Sequence, residues 1–190
     1  MRSIQVFCGS STGFNPIYAI AARELGITLA QRQIDLVYGA GSVGLMGIMA
    51  DAALEAGGKV IGVIPHFLRD WEVCHEGLSE LILTDSMDAR KVEMLKRSEA
   101  TIALPGGFGT LDEVFEVITL VQLQQTFQPI GLLNVNGFYN PLLAHIENML
   151  REGFIKNIHR DMIVVEADIE QLLQRMALVT PSSDGKWVNK

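Results

Sequence analysis

Ala100-Thr101-Ile102-Ala103-Leu104-Pro105-Gly106-Gly107-Phe108-Gly109-Thr110-Leu111-Asp112-Glu113 is the stretch whose reading decides the fold. The apolar run Ala100 to Leu104 has the length of a buried strand. Pro105 ends the ladder because it has no N–H to donate. Gly106, Gly107 and Gly109 form a tight turn and leave no Cβ between the backbone and a ligand. Val114-Phe115-Glu116-Val117-Ile118-Thr119 then continues as an amphipathic helix. The unit is strand, glycine turn, helix. The first N–H groups of such a helix lack intrahelical partners and favour an anion such as a phosphate. Asp112 and Glu113 repel that anion, so their presence needs a reason. Thr110-x-x-Glu113 matches a capping box, and spacing alone favours that reading. The alternative is chemical: a carboxylate beside a bound sugar phosphate assists bond breakage at the sugar.

The same unit recurs along the chain. Apolar strand-length runs are Ile4–Cys8, Ile34–Tyr38, Val60–Ile64, Leu81–Leu83, Ile130–Leu133 and Met162–Val165. Helical patterns lie between them. Asn15-Pro16 is a helix start, Asp85-Ser86 opens a helix through Arg97, and Asp168 caps the last one. Helices are also predicted from about Leu45 to Gly57, to about Gln125, and from Gly137 to Arg151. His66 to Gly77 is less regular and reads as a loop or short helix near a pocket. This alternation of about seven strands with helices predicts an α/β fold, a doubly wound, Rossmann-like open parallel sheet with helices on both faces. Residues 1–180 are expected to form a single nucleotide-binding domain, with 181–190 a polar C-terminal tail that frays. Ligands of such sheets bind at the carboxyl ends of the strands. The turns Gly9-Ser10-Ser11, Gly39 to Gly44 and Gly106 to Thr110 all follow strands, so all three are expected on that edge. Together they predict a phosphate-bearing ligand.

Gly39-x-Gly41-x-x-Gly44 fits the dinucleotide fingerprint. The acidic residue expected about twenty positions later is missing, because that strand ends Val63-Ile64-Pro65-His66. The fingerprint also follows the second strand instead of the first. A tight turn with close helix–sheet packing accounts for these glycines as well, and a nicotinamide oxidoreductase is the weaker reading. In Asp85 to Met94, helical spacing puts Met87, Arg90, Lys91 and Met94 on one face. Either the cations snorkel past packed methionines, or Arg90 turns inward as a fixed cation for an anionic ligand.

Composition narrows the function. The 190 residues carry a net charge of −7 and are 48% hydrophobic. A packed domain is expected, and a nucleic-acid polymer is disfavoured as partner because such binding needs clustered cations. Cys8 and Cys74 form no metal-ligand spacing and read as reduced thiols of a cytoplasmic protein. The four histidines are scattered without an HExxH, so no metal is expected. The amino-terminal stretch has no signal-peptide core, and no apolar run is long enough for a membrane span.

Pro105 to Glu113 matches a Pro-Gly-Gly-x-Gly-Thr-x-x-Glu motif, and Met87 to Lys91 matches Met-x-x-Arg-Lys. Val43-Gly44-Leu45-Met46-Gly47 and Gly131 to Gly137 are similar too. In these features the chain resembles the LONELY GUY family, the cytokinin riboside 5'-monophosphate phosphoribohydrolases once labelled lysine decarboxylases. The resemblance implies hydrolysis of the N-glycosidic bond of a purine or cytokinin nucleoside 5'-monophosphate, giving free base and ribose 5-phosphate, with no cofactor. It implies Arg90 and Glu113 as the catalytic pair. It implies nucleotide contacts from Arg90, Lys91, Gly106, Gly107, Phe108, Gly109, Thr110, Leu111 and Asp112, with Glu72 and Thr119 as further contacts. It also implies a homodimer with the sites near the subunit interface. Asp88 stands where the family commonly has His, Asp112 where it has Glu, Leu120 where it often has Trp, and Ala40 where it often has Gly. The rival function within the same fold is a nucleotide-binding or carrier protein without turnover. Breaking a ribosyl C–N bond passes through an oxocarbenium-like state, which Glu113 is suited to stabilise.

Overall fold

The computed structural model describes residues 1–69 and 74–180. Among the described residues seven strands form one sheet: β1 (Ser3–Phe7), β2 (Asp35–Tyr38), β3 (Val60–Pro65), β4 (Glu80–Thr84), β5 (Ala100–Ala103), β6 (Ile130–Leu133) and β7 (Ile163–Glu166). Their order is β4-β3-β2-β1-β5-β6-β7, and every pairing is parallel. The expected doubly wound α/β sheet is therefore found. From β1 the chain moves outward through β2, β3 and β4. It returns to lay β5 against the other side of β1, then moves outward again. The reversal lies between β1 and β5, where loops diverge and leave a crevice at the carboxyl ends.

The main helices are α1 (Ile17–Gln31), α2 (Gly44–Glu55), α3 (His66–Arg69), α4 (Met87–Lys96), α5 (Phe108–Gln122), α6 (Asn140–Arg151), α7 (Asn157–Arg160) and α8 (Ile169–Ala177). Strand residues alternate between the two faces as the pleat requires. Ile4, Val6, Leu36, Tyr38 and Ile102 join one core with residues of α1, α2 and α8. Phe7, Val37, Ala103 and Leu132 join the other with Met94 of α4 and Val114 and Val117 of α5. Both faces are covered, which is why the strands read as continuous apolar runs. Gln5 is the exception in β1. It is fully buried, and its Nε2 donates to Thr101 Oγ1 at 2.8 Å. That bond satisfies a donor whose burial would otherwise be costly.

Sequence and structure differ at several boundaries. Asp168 accepts from Gln171 N–H as a cap, and Ser86 does the same for Ala89 N–H. The capping box at Thr110 does not form. Gly107 is the N-cap of α5, so Thr110 is the third helical residue and Glu113 lies in the second turn. Pro105 and the two glycines let the helix begin earlier than the Thr–Glu spacing implied. The irregular stretch after β3 contains the four-residue α3, and α7 lies in a region where no helix was expected, being too short to show a period. The expected fraying tail lies outside the described residues.

Candidate active site

Three turns meet at the carboxyl edge. Gly9, just beyond β1, donates its N–H to Pro105 O at 3.1 Å and accepts at its own carbonyl from Leu45 N–H at 3.0 Å. The turns after β1, β2 and β5 are thus bonded to one another through a single residue. Gly44 has φ +63° and brings its backbone against the Ser10 carbonyl so closely that a Cβ would lie under 3.0 Å from it. Only glycine fits there on both counts. Gly106 is equally confined, since a Cβ would meet Thr110 Oγ1 and, at 2.9 Å, Gly9 N.

Gly107 and Gly109 are different. A Cβ on either would meet nothing within 4 Å. They face a cleft of about 290 Å³ between the ends of β1, β2 and β5, whose walls include Cys8, Gly39, Met46, Leu68, Met87, Arg90, Phe108, Thr110 and Glu113. An adjoining hollow of about 290 Å³ shares Gly9, Ser10 and Gly107 with it, and adds Ser11, Thr12, Tyr18, Gly106 and Phe138. The first N–H groups of α5 open onto this region without intrahelical partners. Small residues, hydroxyls and a helix N-terminus around a shared wall are the features that can accept an anion such as a phosphate.

At the floor of the cleft, Arg90 Nη2 lies 3.3 Å from Glu113 Oε1, with the side chains 8% and 9% exposed. Arg90 comes from α4 and Glu113 from α5. Ser86 caps α4 and fixes its start, while Met94, one turn beyond Arg90, is buried in the core. Arg90 therefore turns inward, as one of the two sequence readings held. Its Nη1 donates to Met87 Sδ at 3.7 Å, and its Nε has no hydrogen-bond partner. A buried guanidinium with a donor to spare carries unused capacity for an acceptor. Cys8 is a poor nucleophile here: burial, and then the Glu113 carboxylate, push its thiol far above the ordinary range.

Lys91, next in sequence, sits at the rim. Asp112 lies 3.3 Å and Asp88 3.9 Å from its Nζ, and Glu116 pairs with it more tightly still. The hydrogen bond to Glu116 is the largest cause of an upward shift in its pKa, opposed by burial and reinforced by Asp112. Asp112 thus has a structural partner, which accounts for a carboxylate so near an anion seat.

Of the residues singled out from sequence, Arg90, Gly107, Phe108, Gly109, Thr110, Asp112 and Glu113 come together around the cleft, and Gly106 lines the adjoining hollow. Leu111 packs instead against the core on its side of the sheet. Thr119 is exposed, donates to Phe115 O at 2.8 Å, and lines a separate hollow beside α6 and α7. Glu72 lies outside the described residues. Cys8, Leu68 and Met46 are walls that no motif announced as such. The only signals were the irregular stretch holding Leu68 and the glycine turn preceding Met46. Among the described residues, no group of three or more His, Cys, Asp or Glu is placed to hold a metal. No described helix is long and apolar enough to cross a membrane.

A sequence family described as "Possible lysine decarboxylase" matches residues 46–176. The chain is 45% identical over 184 residues to the cytokinin riboside 5'-monophosphate phosphoribohydrolase LOG5 of Arabidopsis thaliana, covering 97% of this chain and 81% of that one. It is 47% identical over 189 residues to a probable enzyme of the same name, LOGL2, from Oryza sativa subsp. japonica, covering 100% and 77%. Among solved structures, the molybdenum cofactor carrier protein of Chlamydomonas reinhardtii superposes with a TM-score of 0.67 at 24% identity, covering 90% of this chain and 98% of that one. The molybdenum cofactor binding protein of Rippkaea orientalis does so at 0.67 and 22%, covering 92% and 94%. At that identity the two structures establish a shared fold.

Proposed function

The chain belongs to the LONELY GUY family of cytokinin riboside 5'-monophosphate phosphoribohydrolases, and from that premise we propose that it hydrolyses the N-glycosidic bond of a purine or cytokinin nucleoside 5'-monophosphate. Water adds to C1′ of the ribose and the C1′–N bond breaks. The bonding electron pair leaves with the base, which takes up a proton, and ribose 5-phosphate remains. The observation that carries this reading is the buried Arg90–Glu113 pair on the floor of a cleft where Gly107 and Gly109 leave the backbone bare.

In this mechanism the phosphate rests on the open backbone of Gly107 to Thr110 and the head of α5. Glu113 faces the anomeric carbon. Its carboxylate stabilises positive charge on the sugar and orients the attacking water. Arg90 supplies a fixed cation in the same cleft, and Phe108, 93% exposed at the cleft mouth, offers a ring face to the base. The older decarboxylase description implies pyridoxal phosphate, which forms a Schiff base with an unprotonated lysine. Lys91 is the lysine of these motifs, and its carboxylate neighbours favour the protonated form. The residues do not fit that cofactor.

The family resemblance further supports a cytoplasmic homodimer, with residues 1–180 as a single nucleotide-binding domain. In that assembly Thr119, outside its own cleft, reaches substrate only if α5 lies against the partner's site. The testing experiment incubates purified protein with AMP and isopentenyladenosine monophosphate and measures free base. Release by the wild type, with Glu113→Gln binding nucleotide but releasing none, supports the proposal. Binding by the wild type without release overturns it in favour of a carrier. Arg90→Ala separates the roles of the cation: a raised KM assigns it to the phosphate, a lowered kcat to the departing base.

A further inference from the structure

The turn after β2 carries the dinucleotide-like glycines, and the hydrolytic mechanism above makes no use of the first of them. A Cβ on Gly39 would lie under 3.0 Å from Arg90 Nη2, 3.1 Å from Arg90 Cζ and 3.4 Å from Met46 Sδ. No backbone atom is among the three nearest. Nor is the conformation special, since Gly39 is absent from the residues with positive φ. The reason for glycine at this position is therefore the space that the guanidinium occupies. Arg90 has its Nη2 end against Gly39, Nη1 on Met87 Sδ at 3.7 Å, and Nη2 on Glu113 Oε1 at 3.3 Å.

We infer that Gly39 is a positioning residue for Arg90, the missing side chain at the end of β2 serving as the seat that lets the guanidinium reach Glu113. The inference rests on the hydrolytic reading for its effect on turnover, and on geometry alone for the seat. Met87 acts in the same way from the other side. Its thioether is a weak acceptor that orients Nη1 while leaving the stronger acceptor, Glu113, to Nη2. A methyl group at residue 39 displaces the end of a flexible side chain and leaves the backbone where it is. The fold is retained while the pair is pulled apart.

The test is a cycle of four proteins: wild type, Gly39→Ala, Arg90→Ala and both together. Each is assayed for base release from AMP and isopentenyladenosine monophosphate, and for its thermal midpoint. Gly39→Ala is expected to lower kcat/KM by roughly a hundredfold, the size of a 1 Å misplacement of a catalytic group. In the Arg90→Ala background the same substitution is expected to change neither kcat/KM nor the midpoint, because nothing is left to displace. A Gly39→Ala enzyme with wild-type turnover overturns the inference. So does an equal loss in both backgrounds, which would mark Gly39 as merely structural. If the wild type releases no base, the hydrolytic reading fails and the midpoint cycle still decides the seat: a drop on Gly39→Ala that vanishes with Arg90→Ala upholds it, and a drop of equal size in both backgrounds, or none in either, sinks it.

Discussion

Removing both members of the Arg90–Glu113 pair should damage the protein less than removing one. The two groups are 3.3 Å apart and less than a tenth exposed. Taking away a single charge leaves the other buried without this counter-ion, which costs about 3–5 kcal/mol. For a chain of this length each kcal/mol moves the thermal midpoint by about 2–4 °C, so Arg90→Met or Glu113→Leu alone should lower it by roughly 6–20 °C. The double variant Arg90→Met/Glu113→Leu buries no charge. Apolar groups of similar volume in place of a buried pair range from neutral to about 4 kcal/mol stabilising, so its midpoint should return to the wild-type value or exceed it. Activity should not return. A carboxylate about 3.5 Å from a sugar cation, at an effective dielectric near 20, contributes about 5 kcal/mol. Its loss corresponds to about three to four orders of magnitude in kcat. Thermal melts and base release on the same four samples provide both readings. A double variant as unstable as the sum of the singles would mean that the pair supports the fold. One that still turned over nucleotide would remove Glu113 from the chemistry.

Phe108→Ala should leave the midpoint within about 1 °C, since the ring is almost fully exposed, yet weaken nucleotide binding by roughly tenfold through lost stacking; calorimetry with AMP checks it. Ser86→Ala removes the side-chain oxygen that accepts from Ala89 N–H at the head of α4. It should cost about 1 kcal/mol, read as a midpoint drop of about 2–4 °C. The Lys91 network should stabilise the fold at neutral pH and fail in alkali. Its folded-state pKa is raised above 10.5, so the contribution is full below that value and is lost as pH rises through the higher folded pKa. Burial also raises Cys8, Tyr38 and Tyr139, so the alkaline limb is shared. The difference between wild type and Lys91→Met in denaturant titrations isolates the lysine, and a difference that stays constant past pH 10.5 contradicts the assignment.

The fold was legible because buried parallel strands are short, apolar and regularly spaced. The glycine and proline punctuation of three turns, at Gly9, Gly39 to Gly44 and Pro105 to Gly109, marked the edge they end on. The inward turn of Arg90 was visible only as an alternative, because Met87 and Met94 give the same helical stripe whether the cation between them snorkels or points to the core. The false capping box has a clear cause. Thr110-x-x-Glu113 has the right spacing, yet the helix had already started at Phe108 because Gly107 takes the extended cap conformation. Nothing in the sequence could show that Gly39 touches Arg90, fifty-one positions later. That contact follows from β2 ending and α4 beginning at the same edge of the sheet, which depends on strand order. Gln5 was likewise unreadable as a buried polar residue until Thr101 on the neighbouring strand was seen to accept from it.

Glycines on a ligand-binding edge are usually read as a cradle, and here they divide into two kinds. Gly44 and Gly106 exclude a side chain because backbone or a packed threonine occupies its place, and Gly39 does so for a guanidinium. These glycines shape the protein's own interior, even though Gly39 and Gly44 belong to the pattern that looks most like a cofactor fingerprint. Gly107 and Gly109 have nothing where a Cβ would stand, and they lie in a turn outside the dinucleotide pattern. Open space beside bare backbone at the head of a helix is what an anion needs. A close approach between protein atoms is what packing needs. On the proposed reading the phosphate sits after β5, and the turn after β2 lies against the arginine. It also fits the missing acidic ribose anchor of a dinucleotide site after β3, because Gly39 of the fingerprint turn lies against a side chain of the protein itself.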